Sequence, residues 1–397
     1  MKTENGGAGF GAALKSFVRE QRYSLLLLPV CLLLCILTYF LASKLSEKRF
    51  AAAMNDAEQA EPQTREGAVF YNALSAKEQM LYDAMTAAAG EDAEETEILV
   101  FVPTQDEFSR ACEAFFCENP GFYCVEPDAF VLKTSAHTSA VQMAYCENPA
   151  EYRGETEAHI ARLLSGVPDG TEYEKLLYLH DALTACAVCA DENAETIGRT
   201  AAEVFSGTPS DSRAYALAYS LLCTRAGLSC RVVAGKDADG RALYWNEVTA
   251  DGVTGYTDVF WDDSPEAAVT LPFHGYFFLD RTETERERTF DARFAKAQAG
   301  ETQDYYEYMG SVPGTDGTEA LLGKLLSDAR EKHADALEFR LPEDLPEETL
   351  RSMLADAAER ANETGTGALL QKEFRVYRLS AARAAYTVRI YYEETGA

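Results

Sequence analysis

The sequence predicts an α+β protein with an N-terminal transmembrane helix, and three features carry that reading. Ser24 to Ala42 is an almost unbroken apolar run of about nineteen residues, close to the ~20 that a bilayer-spanning helix needs. Ser75-Ala76-Lys77-Glu78, Thr104-Gln105-Asp106-Glu107 and Thr171-Glu172-Tyr173-Glu174 are capping-box patterns, each opening a helical run. Strand-like stretches lie between and after these helices, and Asp251-Gly252 marks a turn joining two of them.

At 397 residues the chain is longer than the usual single domain, which fits an anchor followed by two folded units. Lys and Arg number 36 against 65 Asp and Glu, a net charge of −29. Such a surface repels phosphate backbones, so no nucleic-acid partner is expected.

In chain order, residues 1–23 form a cytoplasmic tail and 24–42 the transmembrane helix. Arg19 and Arg22 directly before the apolar run favour a cytoplasmic N-terminus, with the bulk of the chain extracellular and the membrane as a partner through this helix. A cleaved signal peptide is the competing account, for which Phe40-Leu41-Ala42 offers a poor cleavage site. Residues 43–67 are charged and Ala-rich and suit a stalk. An N-terminal α+β region spans 68–165, with strands expected at Ile98 to Val102, Ala129 to Thr134 and Ser139 to Cys146. A core follows over 166–298. There the helix after Thr171 carries Leu176, Leu179, His180 and Leu183 on one face, and a second helix runs from Ser212 until Gly227 stops it. Residues 299–318 are rich in Gly, Asp and Thr and read as a linker. Residues 319–397 read as helix, strand, helix and two strands, a small C-terminal α+β domain.

Ten cysteines accompany this layout. Cys31 and Cys35 lie in the apolar run. The remaining eight, Cys112, Cys117, Cys124, Cys146, Cys186, Cys189, Cys223 and Cys230, would face an oxidising compartment, where disulfides form without the sequence revealing their connectivity. Cys186-Ala187-Val188-Cys189 has redox-motif spacing but lacks a thioredoxin-like strand before it. No second Cys pair or His pair occurs at ligand spacing, so neither a metal nor any other cofactor is expected.

The stretch from Val204 to Asp263 holds the candidate chemistry. It contains Ser210-Asp211-Ser212-Arg213-Ala214-Tyr215-Ala216, then Leu243-Tyr244-Trp245-Asn246-Glu247-Val248, then Tyr256-Thr257-Asp258-Val259-Phe260-Trp261-Asp262-Asp263. In these motifs the chain resembles bacterial transglutaminase-like domains of the papain-like fold. The resemblance implies a nucleophilic Cys opening the helix, a His opening the next strand and an Asp shortly before Trp-Asp-Asp. Those positions here hold Ser212, Leu243 and Asp258. The resemblance also matches His180-Asp181 to a His-Asp pair that holds the fold.

The departures remove the chemistry. A Cys at a helix N-terminus gains from the dipole and a nearby imidazolium, whereas a serine hydroxyl needs a general base that Leu243 does not supply. An inactive transglutaminase-like protein is therefore expected, one that binds a peptide or cell-wall ligand or serves as a scaffold. The binding groove would be lined by Tyr215, Tyr244, Trp245, Asn246 and Trp261. The alternative is a serine-dependent hydrolase or acyltransferase in which Ser212 takes His274 or His180 as its base. Without chemistry, Ser212 serves as a helix N-cap, Leu243 as a core residue and Asp258 as a backbone or Tyr244 partner.

Overall fold

The N-terminal apolar run lies within one long helix, α1 (Arg22–Gln59). The computed structural model describes residue 15 and residues 22–190, 194–263, 273–294, 302–364, 370–380 and 383–393. Within α1, Pro29–Gln59 is long and apolar enough to cross a membrane, and its apolar window is unburied. The expected stalk is largely a continuation of this helix. Its last turns reach the folded part through buried Ala57 and a Lys77–Glu58 ion pair at 3.7 Å.

Beyond α1 the chain is mixed α/β. Helices α2 (Ala76–Gly90), α3 (Gln105–Glu118), α4 (Pro149–Leu164) and α5 (Glu172–Thr184) follow. Ser75, Thr104 and Thr171 each accept from the N–H three residues on, while the Glu there accepts from the cap's own N–H. Two orphan donors are thereby satisfied at each helix start, which typically contributes about 1 kcal/mol per cap. Between α3 and α4 lies the hairpin of β1 (Val131–Thr134) and β2 (Ser139–Gln142). The strand expected at Ile98 to Val102 does not form. Only single bridges join Leu99 to Ser139 and Glu95 to Gln142, and between them the Thr96 hydroxyl accepts the Val141 N–H at 2.9 Å.

Helix α6 (Ser212–Arg225) runs through the main core and is buried on every side along most of its length. Tyr215, Ala218, Tyr219 and Leu222 are essentially inaccessible, and burial of large apolar side chains contributes about 1.5–3 kcal/mol each. Gly227, at φ +77°, ends the helix, with the Leu228 N–H returning to the Cys223 carbonyl. Packed on α6 is an antiparallel sheet of β3 (Ser229–Asp237), β4 (Ala242–Ala250), β5 (Val253–Thr257) and β6 (Arg288–Phe290), in the order β5-β4-β3-β6. Asp251 and Gly252 both take positive φ, as a type I′ turn between β4 and β5 requires. Gly235 allows β6 to approach, since a Cβ there would stand 2.1 Å from the Thr289 carbonyl and 2.5 Å from the Trp245 ring.

A second apolar core is separate from the first. It gathers Leu322 and Leu326 of α7 (Gly317–Lys332), Leu350, Leu354 and Ala358 of α8 (Glu347–Thr364), and the inward face of a three-stranded antiparallel sheet. That sheet comprises β7 (Ala336–Arg340), β8 (Arg375–Ser380) and β9 (Ala385–Arg389), in the order β8-β9-β7. In the span expected as a linker, Tyr305–Tyr308 form a short helix, Tyr306 is buried, and Asp304 pairs with Arg340 at 2.5 Å. Polar contacts hold the two cores together, among them Arg383 Nη1 donating to the Gly275 carbonyl at 2.5 Å.

Two pairs of thiols face one another: Cys223 with Cys230, where α6 hands over to β3, and Cys124 with Cys146, whose backbones share a hydrogen bond of 2.8 Å. In an oxidising compartment each pair is expected to close as a disulfide, its two hydrogens passing to an oxidoreductase disulfide or dioxygen. Non-reducing peptide mapping after alkylation under denaturing conditions checks this. Recovery of all four residues as alkylated thiols from membrane-extracted protein would contradict it.

Candidate functional site

The helix start, the strand and the carboxylate named from the sequence lie around the N-terminal end of α6, and each is engaged in contacts of its own. Asp211, not Ser212, is the N-cap of α6, its carboxylate accepting from the Ala214 N–H at 2.9 Å. Ser212 is the first helical residue. Its Oγ accepts from the Tyr244 N–H at 3.3 Å, which sets it beside the backbone that follows Leu243. Ser212 is 7% exposed and Leu243 4%.

Asp258 stands at the end of β5, where it caps the short helix Val259–Asp262 by accepting from the Trp261 N–H at 3.1 Å. Its other oxygen takes Nη1 of Arg288, a close ion pair in which both side chains are almost fully buried. Burial pushes the Asp258 carboxyl above its ordinary range, and the Arg288 charge opposes that shift. The Arg288 guanidinium lies 4.2 Å from the centre of the Trp261 ring, 5.0 Å from that of Tyr276 and 5.2 Å from that of Trp245. It occupies an aromatic cage of the kind that favours a desolvated cation. Among the described residues, its Nε and Nη2 have no hydrogen-bond partner. Arg288 enters from β6, thirty residues downstream, and no local motif announces it.

Of the residues expected to line the groove, three are buried and two, Tyr244 and Trp261, are half-buried. Tyr215, Trp245 and Asn246 are each about 1% exposed and belong to the core. Asn246 Nδ2 donates to the Ala216 carbonyl at 2.9 Å, tying β4 to α6. The Tyr215 hydroxyl donates to Asp263 in a short contact, and burial raises that carboxyl to about 6. The Tyr244 hydroxyl donates to Glu113 of α3 at 3.1 Å, and Arg293 clasps the same carboxylate at 2.8 Å, so the N-terminal helices cover this side. Trp261 packs edge-on against Tyr276 at 4.8 Å. Four cavities on the described surface are lined by other residues and include none of these side chains.

Both candidate bases have their ring nitrogens on other groups. His180 faces Asp181 at 3.0 Å and Asp262 at 3.1 Å, while His274 faces Asp181 at 2.8 Å and Glu338 at 2.7 Å. All four imidazole nitrogens are thus directed at carboxylates. Asp262 is the first Asp of the Trp-Asp-Asp stretch and also accepts the Tyr276 N–H at 2.9 Å. The sequence had paired His180 with Asp181 but gave no sign of Asp262 or Glu338, because both partners come from distant segments.

No protein-family model matches the chain, and no curated protein matches it. Among solved structures, the chain is similar to one described as "Crystal structure of a TGase", at 14% identity and a TM-score of 0.22. The alignment covers 41% of this chain and 50% of that one, so the chain spans about half the length of that structure. A TM-score of 0.22 does not establish a shared fold.

Proposed function

We propose that the chain is a membrane-anchored, extracellular scaffold built on a transglutaminase-like core whose acyl-transfer centre has been closed by core packing. The observation that carries this reading is the engagement of Asp258 by buried Arg288, beside a Leu where a His would stand. An orienting carboxylate with a guanidinium on it has no imidazole to orient, and the enclosed Ser212 hydroxyl has no general base. The closed groove favours a scaffold over a receptor for an extended peptide or cell-wall fragment. The folded surface away from the former centre, including the second core, then offers the contacts. On this reading residues 1–23 lie inside and the chain beyond the helix outside, an orientation supported by Arg19 and Arg22 before the apolar run and by the facing cysteine pairs.

The expected result with the full-length protein in detergent is no transglutaminase, protease or amidase turnover above background, and no change on Ser212→Ala. Acyl transfer or hydrolysis that disappears in Ser212→Ala would restore the serine-dependent enzyme as the reading.

A further inference from the structure

A second constellation lies apart from the Ser212 centre. His180 of α5 and His274 approach the same oxygen of Asp181, His180 through Nδ1 at 3.0 Å and His274 through Nε2 at 2.8 Å. The three ligand-type atoms lie within 4.8 Å of one another. On the far side of each ring stands another carboxylate: Asp262 at 3.1 Å from His180 Nε2, and Glu338 at 2.7 Å from His274 Nδ1. Those outer carboxylates are held in turn. Asp262 accepts the Tyr276 N–H, and Glu338 accepts the Thr387 hydroxyl at 3.0 Å. Tyr305 stacks on His274 with ring centres 3.8 Å apart.

We infer that His180, Asp181 and His274 form a binding site for a divalent transition-metal ion of the zinc class, with water completing the coordination. Three properties point to an ion. Two imidazole nitrogens and one carboxylate oxygen converge, a donor set that suits zinc, cobalt or nickel and not calcium or magnesium, which prefer oxygen throughout. Each imidazole has a carboxylate behind it on its remote nitrogen, the arrangement that orients metal-bound histidines and raises their basicity. Finally, the two rings are buried while the Asp181 side chain is 39% exposed, so one ligand opens to solvent and gives an ion and its water a way in.

A tetrahedral ion with bonds of about 2.0–2.1 Å holds its ligand atoms about 3.4 Å apart, so each His–Asp181 separation opens by some tenths of an ångström while the two ring nitrogens, which lie within 4.8 Å of one another, settle to the same spacing. Coordination takes the place of the protons that now lie between Asp181 and the two rings. Because Glu338 belongs to β7 of the second core, the bound ion would also draw the two cores together. None of this depends on whether Ser212 is inert.

The test uses the full-length chain in detergent, stripped with chelator and then given Zn²⁺ or Co²⁺ alone. Wild type is expected to retain one more equivalent of zinc than His274→Gln after equilibrium dialysis. Its cobalt form should show the intense visible bands of a low-coordinate site without the thiolate charge-transfer band that binding to cysteines would give. Glu338→Gln, which leaves all three ligands in place, should weaken zinc binding about 10–100-fold. Equal zinc content in wild type and His274→Gln would overturn the proposal. So would a cobalt spectrum of the aqua ion or of thiolate ligation only, a readout on unaltered protein that holds even if His274→Gln fails to fold.

Discussion

Replacing Arg288 by Ala is expected to lower the stability of the chain by about 3–5 kcal/mol, the usual cost of leaving one member of a buried ion pair unpaired. Asp258 is about 2% exposed, and its described partners besides Arg288 are backbone donors of the short helix that follows it, so removal of the guanidinium leaves a carboxylate enclosed among aromatic rings. The effect is read as a fall in the denaturation midpoint of the detergent-solubilised protein. The joint replacement Asp258→Leu with Arg288→Met supplies the control. Removing both charges together is expected to restore most of the loss, since a buried pair exchanged for apolar groups of similar volume is often neutral or better. A loss below about 1 kcal/mol for Arg288→Ala would mean that the pair is solvated, and the proposal of a closed centre would fail.

The second large effect is chemical. A Ser212→Cys, Leu243→His double variant is expected to carry a thiol whose pKa lies at least about one unit below that of the Ser212→Cys single variant. A shift of that size raises the thiolate fraction at neutral pH roughly tenfold. The helix N-terminus acts on both variants, so the difference isolates the imidazolium. Arg288 limits the gain because it already holds the carboxylate that would orient the new His. Ser212 is too enclosed for alkylation rates to report its ionisation, so the readout is the thiolate ultraviolet absorption of each variant minus that of wild type, followed through a pH titration. Equal thiol pKa values in two folded variants would show that residue 243 does not face residue 212. The assignment of these positions from the resemblance would then fail.

What the sequence determined by itself are features written in a few consecutive residues. Ser75, Thr104 and Thr171 each carry a Glu three positions on, and that spacing suffices to close a capping box wherever the helix later packs. Asp251-Gly252 specifies its turn through the two positive φ angles it tolerates, and the N-terminal apolar run specifies a helix long enough for a bilayer. Tertiary structure decided which side chains meet. Arg288 reaches Asp258 only because β6 pairs with β3 across Gly235, and Glu338 reaches His274 only because the second core docks on the first. The resemblance to transglutaminase-like domains implied that Tyr215, Trp245 and Asn246 lie near a centre without saying whether that centre was open. Burial depends on what the rest of the chain lays over it, here α3 through Glu113 on one side and Arg288 within. The same reason hid the His180, Asp181 and His274 cluster, because a search for ligands at short spacing cannot detect donors ninety-three residues apart that become neighbours only once the chain has folded.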